Sequence, residues 1–267
     1  MQKPTKYRRG SYTWVEMGVV LLVIAVAIGA ALVGRDMRRN AEYTRIKQEF
    51  VDQWVIAYNS YHASSGAPVG DNPAAPRLMV AGADFAHGNV LFSESDLSGQ
   101  ASPGAICNVS APRHASPPIT VAVSKGGRLR DILRGAGIRL PPGRGEGFED
   151  RYVYLDSNGT SQEIQVCFQW NPAGTASGAG NVMILSGLSP ELARSLDQMI
   201  DGKPDPQSGA FRQAGMVAKK ATDSDIDWNG NNTRATGSSQ GRTPIEAGES
   251  TDSGKMPTLT AYYKMNP

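Results

Sequence analysis

The chain has 267 residues, with 27 Lys and Arg against 25 Asp and Glu, two Cys, three His and a formal net charge of +2 at pH 7. So even a balance argues against a general nucleic-acid binder, whose affinity rests on a concentrated positive field. The length leaves room for one sizeable folded domain behind an N-terminal segment of different composition.

That segment begins with a basic leader, Lys3, Lys6, Arg8 and Arg9, and meets the pentad Tyr12-Thr13-Trp14-Val15-Glu16. The pentad opens into a charge-free run of 17 residues, Met17 to Val33. As a helix the run reaches about 25 Å, and counted from Tyr12 about 33 Å, so the expectation is a segment that crosses one bilayer core. A carboxylate at the edge of hydrocarbon costs about 2 to 3 kcal/mol, so Glu16 implies a partner charge. A secretory signal peptide is one alternative, because Ala25-Val26-Ala27 and Ala30-Ala31 offer small residues beyond an apolar core. It gives Glu16 no use, and the helical pattern continues past the apolar run. An ordinary signal anchor is another. Basic residues flank the run on both sides, with Arg35, Arg38, Arg39, Arg45 and Lys47 following it, so charge asymmetry does not set an orientation.

Arg8-Arg9-Gly10-Ser11, then Tyr12-Thr13-Trp14-Val15-Glu16 and the apolar run, resembles the prepilin cleavage and methylation signal of type IV pilins and type II secretion pseudopilins. The resemblance covers about 30 residues. It implies that a prepilin peptidase removes residues 1–11 by cutting between Ser11 and Tyr12, and that Tyr12 is N-methylated. A cut between Gly10 and Ser11 restores the family's usual glycine before the scissile bond but moves Glu16 from fifth to sixth place. The resemblance also gives Glu16 an assembly role, neutralising the cationic amino terminus of a neighbouring subunit in a filament core of low dielectric. Expected partners are the peptidase, other pilin or pseudopilin subunits, an inner-membrane assembly platform and membrane lipid. The expected location is the bacterial inner membrane, single-pass with the head in the periplasm, and then the pilus or pseudopilus. Loss of the leader removes four basic residues, leaving 23 Lys and Arg against 25 Asp and Glu and a net charge of −2.

Beyond Arg35 the composition turns polar, yet Tyr43, Ile46, Phe50, Trp54, Ala57, Tyr58 and Tyr61 recur at steps of three and four, one face of a helix. The spacing predicts a helix from Thr13 to Ala63, roughly 75 Å long, whose second half packs on the head. Ser64-Ser65-Gly66-Ala67-Pro68 then ends it. The divisions expected are a leader (1–11), a transmembrane or filament-core helix (12–34), its continuation (35–65) and a globular head (66–267).

The head reads as α+β: a long N-terminal helix, membrane-spanning in its first half, packed on a C-terminal antiparallel sheet in the pilin manner. Ile119 to Val123 alternates like a strand, and Gly126 to Arg134 suits a short helix. A hairpin is predicted from Tyr152–Leu155, the turn Asp156-Ser157-Asn158-Gly159 and Glu163–Phe168, because Asn-Gly supplies positive φ values. Asn181 to Leu185 is a further strand, Ser189 an N-cap with Pro190 and Glu191 in the first helical turn, and Leu259 to Met265 a closing strand. If the head lies outside the cytoplasm, Cys107 and Cys167 pair, closing a loop of about 60 residues and contributing about 4 kcal/mol in the chain-entropy model; the alternative is two free buried thiols.

Asp223, Asp225, Asp227, Asn229 and Asn231 place oxygen donors at alternate positions around Gly230, which suits calcium, although the closing glutamate of an EF-hand is replaced by Thr236. The pattern equally fits an Asx-rich turn. Arg128, Arg130, Arg134, Arg139 and Arg144 form a basic cluster that suits a phosphate or an acidic partner, or stands as a solvated face. Asp201-Gly202-Lys203-Pro204-Asp205, Ser208-Gly209 and Arg212 resemble a loop of pilin-like minor subunits and read physically as a helix exit. Gly237-Ser238-Ser239-Gln240-Gly241 fits the G-x-S-x-G pattern without the strand and helix that pattern needs, and His62, His87 and His114 have no metal-ligand spacing. The sequence therefore predicts no enzyme but a structural subunit, a minor pilin or pseudopilin. The alternative is a single-span anchor carrying a periplasmic binding or enzymatic domain.

Overall fold

The computed structural model describes residues 13–85, 101–108, 111–112, 115, 117–122, 127–175, 177–216, 227–228 and 258–265. The chain divides into two compact units, Met1–Glu42 and Tyr43–Pro267.

The first unit consists, in its described part, of helix α1 (Trp14–Ile46) up to Glu42. Its apolar side chains face outward on every side, and Trp14, Val15, Val19, Leu22, Val26 and Ile28 are each more than half exposed. Yet no helix of the described residues is long and apolar enough to cross a membrane. The expected membrane-spanning first half, and the single-pass inner-membrane location built on it, are corrected by that finding. The charge-free run, Met17 to Val33, has 17 residues and is bounded by Glu16 and by Arg35 and Asp36; it lies at the short end of the range of about 17 to 25 residues that a span takes.

In the second unit the end of α1 passes into a π turn (Lys47–Val51) and then α2 (Asp52–Ser65). The wider turn holds one more residue per turn than the α-helical spacing allows, so Phe50 and Val51 are both fully buried where that spacing had placed Phe50 alone. Lys47 pairs with Asp52 at 2.9 Å across this turn. Trp54, Ala57, Tyr58 and Tyr61 carry the buried stripe through α2, which stops at Gly66 in the left-handed conformation.

Strands β1 (Arg151–Leu155), β2 (Ser161–Asn171), β3 (Gly180–Leu188), β4 (Phe211–Gln213) and β5 (Leu259–Lys264) form one antiparallel sheet in the order β1-β2-β3-β5-β4. Side chains alternate between two faces. One face presents Ile164, Val166, Phe168, Met183, Leu185, Ala261 and Phe211 to the main core, which α2 and helix α4 (Pro190–Asp201) also line. Phe168 stacks on Tyr58 at 5.1 Å between ring centroids and lies 6.2 Å from Trp54. The other face presents Cys167, Val182, Ile184 and Tyr262 to a smaller cluster with Ala105, Cys107 and Ala214. Of the expected strand Ile119 to Val123, Val123 lies outside the described residues, and residues 119–122 make one parallel bridge, Val121 to Ala105, with Ile119 and Val121 packed against this smaller cluster. Helix α3 (Leu129–Gly135) follows and buries Leu129 and Leu133.

The loop after α2 is held by a buried acid. Asp71 accepts backbone N–H bonds from Asn72, Arg77 and Leu78, and Asn181 of β3 clamps Val80 and Leu78 with its side-chain amide. Burial nevertheless pushes the Asp71 carboxyl upward, against those three donors.

Candidate functional site

At the start of α1, Thr13 and Glu16 close a capping box. Glu16 Oε2 accepts from Thr13 N at 3.0 Å and from Thr13 Oγ1 at 3.2 Å, while Glu16 N donates to Thr13 Oγ1 at 3.5 Å. The reciprocal pattern satisfies N–H groups that a helix start leaves without partners, and a carboxylate here also complements the positive end of the helix dipole. The acid that sequence reasoning assigned to a neighbouring subunit is thus also a local cap, and it stays exposed to solvent. Gly10, Ser11 and Tyr12, the residues of the two expected cleavage registers, lie outside the described residues.

Cys107 and Cys167 are joined by a disulfide. The segment around Cys107 is also hydrogen-bonded to β2, with Ile106 N donating to Phe168 O at 2.7 Å and Phe168 N donating back at 3.0 Å. Asn108 extends this tie by donating to Gly147 O and to the carboxylate of Asp150, which is wholly buried and also accepts from Gln165. Burial raises the Asp150 carboxyl; the Asn108 bond and the Arg151 charge act the other way.

The arginine cluster does not stand as an open basic face. Arg130 and Arg134 converge on Glu146 and on buried Glu149, Arg144 pairs with Glu163 at 2.7 Å, and Arg128 approaches Asp131 at 4.0 Å. Four of the five arginines are therefore matched by carboxylates of this chain.

Of the candidate calcium ligands, Asp223, Asp225, Asn229 and Asn231 lie outside the described residues. Asp227 lies within them, where its Oδ1 accepts from Arg194 Nε at 2.9 Å and from Trp228 N at 2.9 Å. That oxygen is already matched to a cation of α4. Among the described residues no group of three or more His, Cys, Asp and Glu is placed to hold a metal ion. His62 lies on α2, whereas His87, His114 and residues 237–241 lie outside the described residues.

The helix exit after α4 is a structural joint. Ser189 Oγ accepts from Leu192 N at 3.3 Å, Pro190 stands at the first helical position, and Gly202 closes the helix in the left-handed conformation. Asp201 at its end then accepts from Ala210 N at 3.0 Å and Phe211 N at 2.8 Å, pinning the start of β4 to the end of α4. Gly209 makes this possible: its φ is +80°, and a Cβ there would stand 2.3 Å from Asp201 Oδ2. The variant Gly209→Ala is expected to lose about 1 to 3 kcal/mol of stability, since it strains the backbone and displaces a carboxylate that caps two partly buried donors. Urea unfolding followed by circular dichroism measures this, and an unchanged midpoint would show that the joint carries no such strain.

Sequence reasoning missed one cluster entirely. Asp197, on the buried face of α4, is wholly inaccessible, and its Oδ2 accepts from Trp228 Nε1 at 2.8 Å. Trp228 packs its ring 5.4 Å from Phe211, and its carbonyl accepts from Arg194. These partners are some 30 residues apart in the chain, so no local pattern announced them. The one signal available was a charged residue at an inward position of a strongly amphipathic helix.

No family model, curated protein or solved structure matches this chain.

Proposed function

We propose that the chain is a pilin-like structural subunit, of the minor pilin or pseudopilin kind, that joins a type IV pilus or type II secretion pseudopilus after its leader is cut. The observation that carries this reading is the first stretch of α1, charge-free from Met17 to Val33, with apolar side chains exposed around it and Glu16 as the acid at its amino end. A helix apolar all round belongs inside a packed assembly. Stems of neighbouring subunits supply such surroundings, and an amino-terminal ammonium among them supplies the counter-charge that Glu16 lacks within its own helix. The leader motif before Tyr12 supplies that new amino terminus. The partners are accordingly the prepilin peptidase and other filament subunits, and the role is structural, without catalysis. A head as large as this, with long loops between its strands, suits a sparse subunit better than a densely packed one.

Mass spectrometry of the mature amino terminus tests the reading. The expected product begins with methylated Tyr12; an intact Met1, or a cut after Ala27 or Ala31, rejects it. As a second test, Glu16→Gln is expected to be processed normally but recruited into filaments at least tenfold less well. Equal recruitment would overturn the role given to Glu16. Because the Thr13–Glu16 cap is worth only about 1 kcal/mol and glutamine also serves in a capping box, a folding defect is not expected to obscure the result.

A further inference from the structure

We infer that the carboxyl of Asp197, when neutral, latches Trp228 onto α4, and that its ionisation loosens this latch. The inference concerns the head alone and is independent of the filament reading. Asp197 is wholly buried, and among the described residues its oxygens take one donor: the indole N–H of Trp228, on Oδ2, while Oδ1 takes no N–H or O–H. A buried carboxylate with one donor is poorly compensated for the water it gives up.

The groups facing it make ionisation harder still. Asp201 stands one turn along on α4, and Asp205 follows in the next loop. Asp201 is not free to swing away, because both its oxygens are bound to the N–H groups of Ala210 and Phe211. On the other side, Asp227 is paired with Arg194, which also binds the Trp228 carbonyl. From β5, the hydroxyl of Tyr263 feels Asp201 and Asp52 and is itself pushed upward, chiefly by burial. Burial first, then the charge of Asp201 and a hydrogen bond to its carboxylate, and then the charge of Asp205, lift the Asp197 carboxyl to about 8, with the Trp228 N–H acting in the opposite direction.

The sign follows from linkage. The closed latch holds its proton more tightly than an open, hydrated Asp197 would, so the closed state is favoured most at low pH. Its advantage falls as pH rises from the ordinary carboxylate range toward about 8, and levels off above it.

Hydrogen exchange of the Trp228 indole N–H in the full-length chain, held in mild detergent, tests the proposal. The chain has four tryptophans, and the resonance that disappears in Trp228→Phe identifies the one concerned. After correction for the intrinsic pH dependence of exchange, protection is expected to fall about tenfold per pH unit between about pH 5 and about pH 7. In Asp197→Asn, which keeps an oxygen acceptor but cannot ionise, it is expected to be level. Asp205→Asn removes one neighbouring negative charge and is expected to bring the levelling-off to lower pH. Level protection in the unaltered chain, or the same fall in Asp197→Asn, overturns the latch. Should Asp197→Asn not fold, an unmoved profile in Asp205→Asn overturns it instead.

Discussion

Removing the disulfide by the double substitution Cys107→Ala and Cys167→Ala is expected to lower the stability of the head by about 4 kcal/mol. The bond closes a loop with a sequence separation of 60. The chain-entropy account assigns a loop of that size about 4 kcal/mol, through the freedom it withholds from the unfolded chain. For a unit of this size such a loss lowers Tm by about 8 to 16 °C. Alanine is the better replacement, because Cys167 is fully buried beside Val182, Ile184 and Tyr262, where a serine hydroxyl would be left without a partner. Thermal unfolding of the oxidised chain, the reduced chain and the double variant separates the possibilities. Reduced and substituted chains are expected to agree within about 1 kcal/mol. A loss of under about 1 kcal/mol would mean that the paired bonds between Ile106 and Phe168, together with the Asn108–Asp150 contact, hold this segment without the sulfur bridge.

The second large effect lies one residue further along β2. Phe168→Ala is expected to cost about 3 to 5 kcal/mol, the range for emptying a fully buried aromatic site. Phe168 is wholly buried and touches both Tyr58 and Trp54, so it joins the α2 stripe to the middle of the sheet. Among the described residues the buried Tyr58 hydroxyl and Trp54 Nε1 have no hydrogen-bond partner, and a cavity here would admit water to them. That compensation places the expected value toward the lower end of the range. Phe168→Leu keeps most of the volume and is expected to cost less than about 1.5 kcal/mol. Chemical denaturation of both variants checks the pair; equal costs would show that the packing of the ring against α2, and not apolar volume, carries the effect.

How much of this was legible in the sequence varies with how local each cause is. The hairpin was legible because the alternation in Tyr152–Leu155 and Glu163–Phe168 and the turn residues between them lie within one short stretch. Even so, the turn is built differently from the expectation. Positive φ is confined to Gly159, at +76°, and the Asp156 side chain organises the loop by accepting from Asn158 N and Thr160 N. Helix α4 was legible for the same reason, since Ser189, Pro190 and the spacing of Leu192 and Leu196 are all near neighbours. Strand β4 was not. Its three residues sit in a turn-rich stretch and become a strand only by pairing with β5, nearly 50 residues later. The Asp197–Trp228 contact escaped notice on the same grounds. The apolar segment shows the opposite error: a strong local pattern in residues 12–34 suggested a membrane span, whereas no helix of the described residues is long and apolar enough to make one.

The strand order has a consequence for how the head comes into being. Because β5 lies between β3 and β4, the sheet lacks an interior member until residues 259–264 have left the ribosome. Until then β3 and β4 lack the strand that joins them edge to edge, and the apolar face that Met183, Leu185 and Phe211 share stays incomplete while some 50 further residues are synthesised. A stop codon anywhere before Leu259 would therefore remove the keystone of the domain and leave a two-part remnant prone to aggregate, however intact its hairpin.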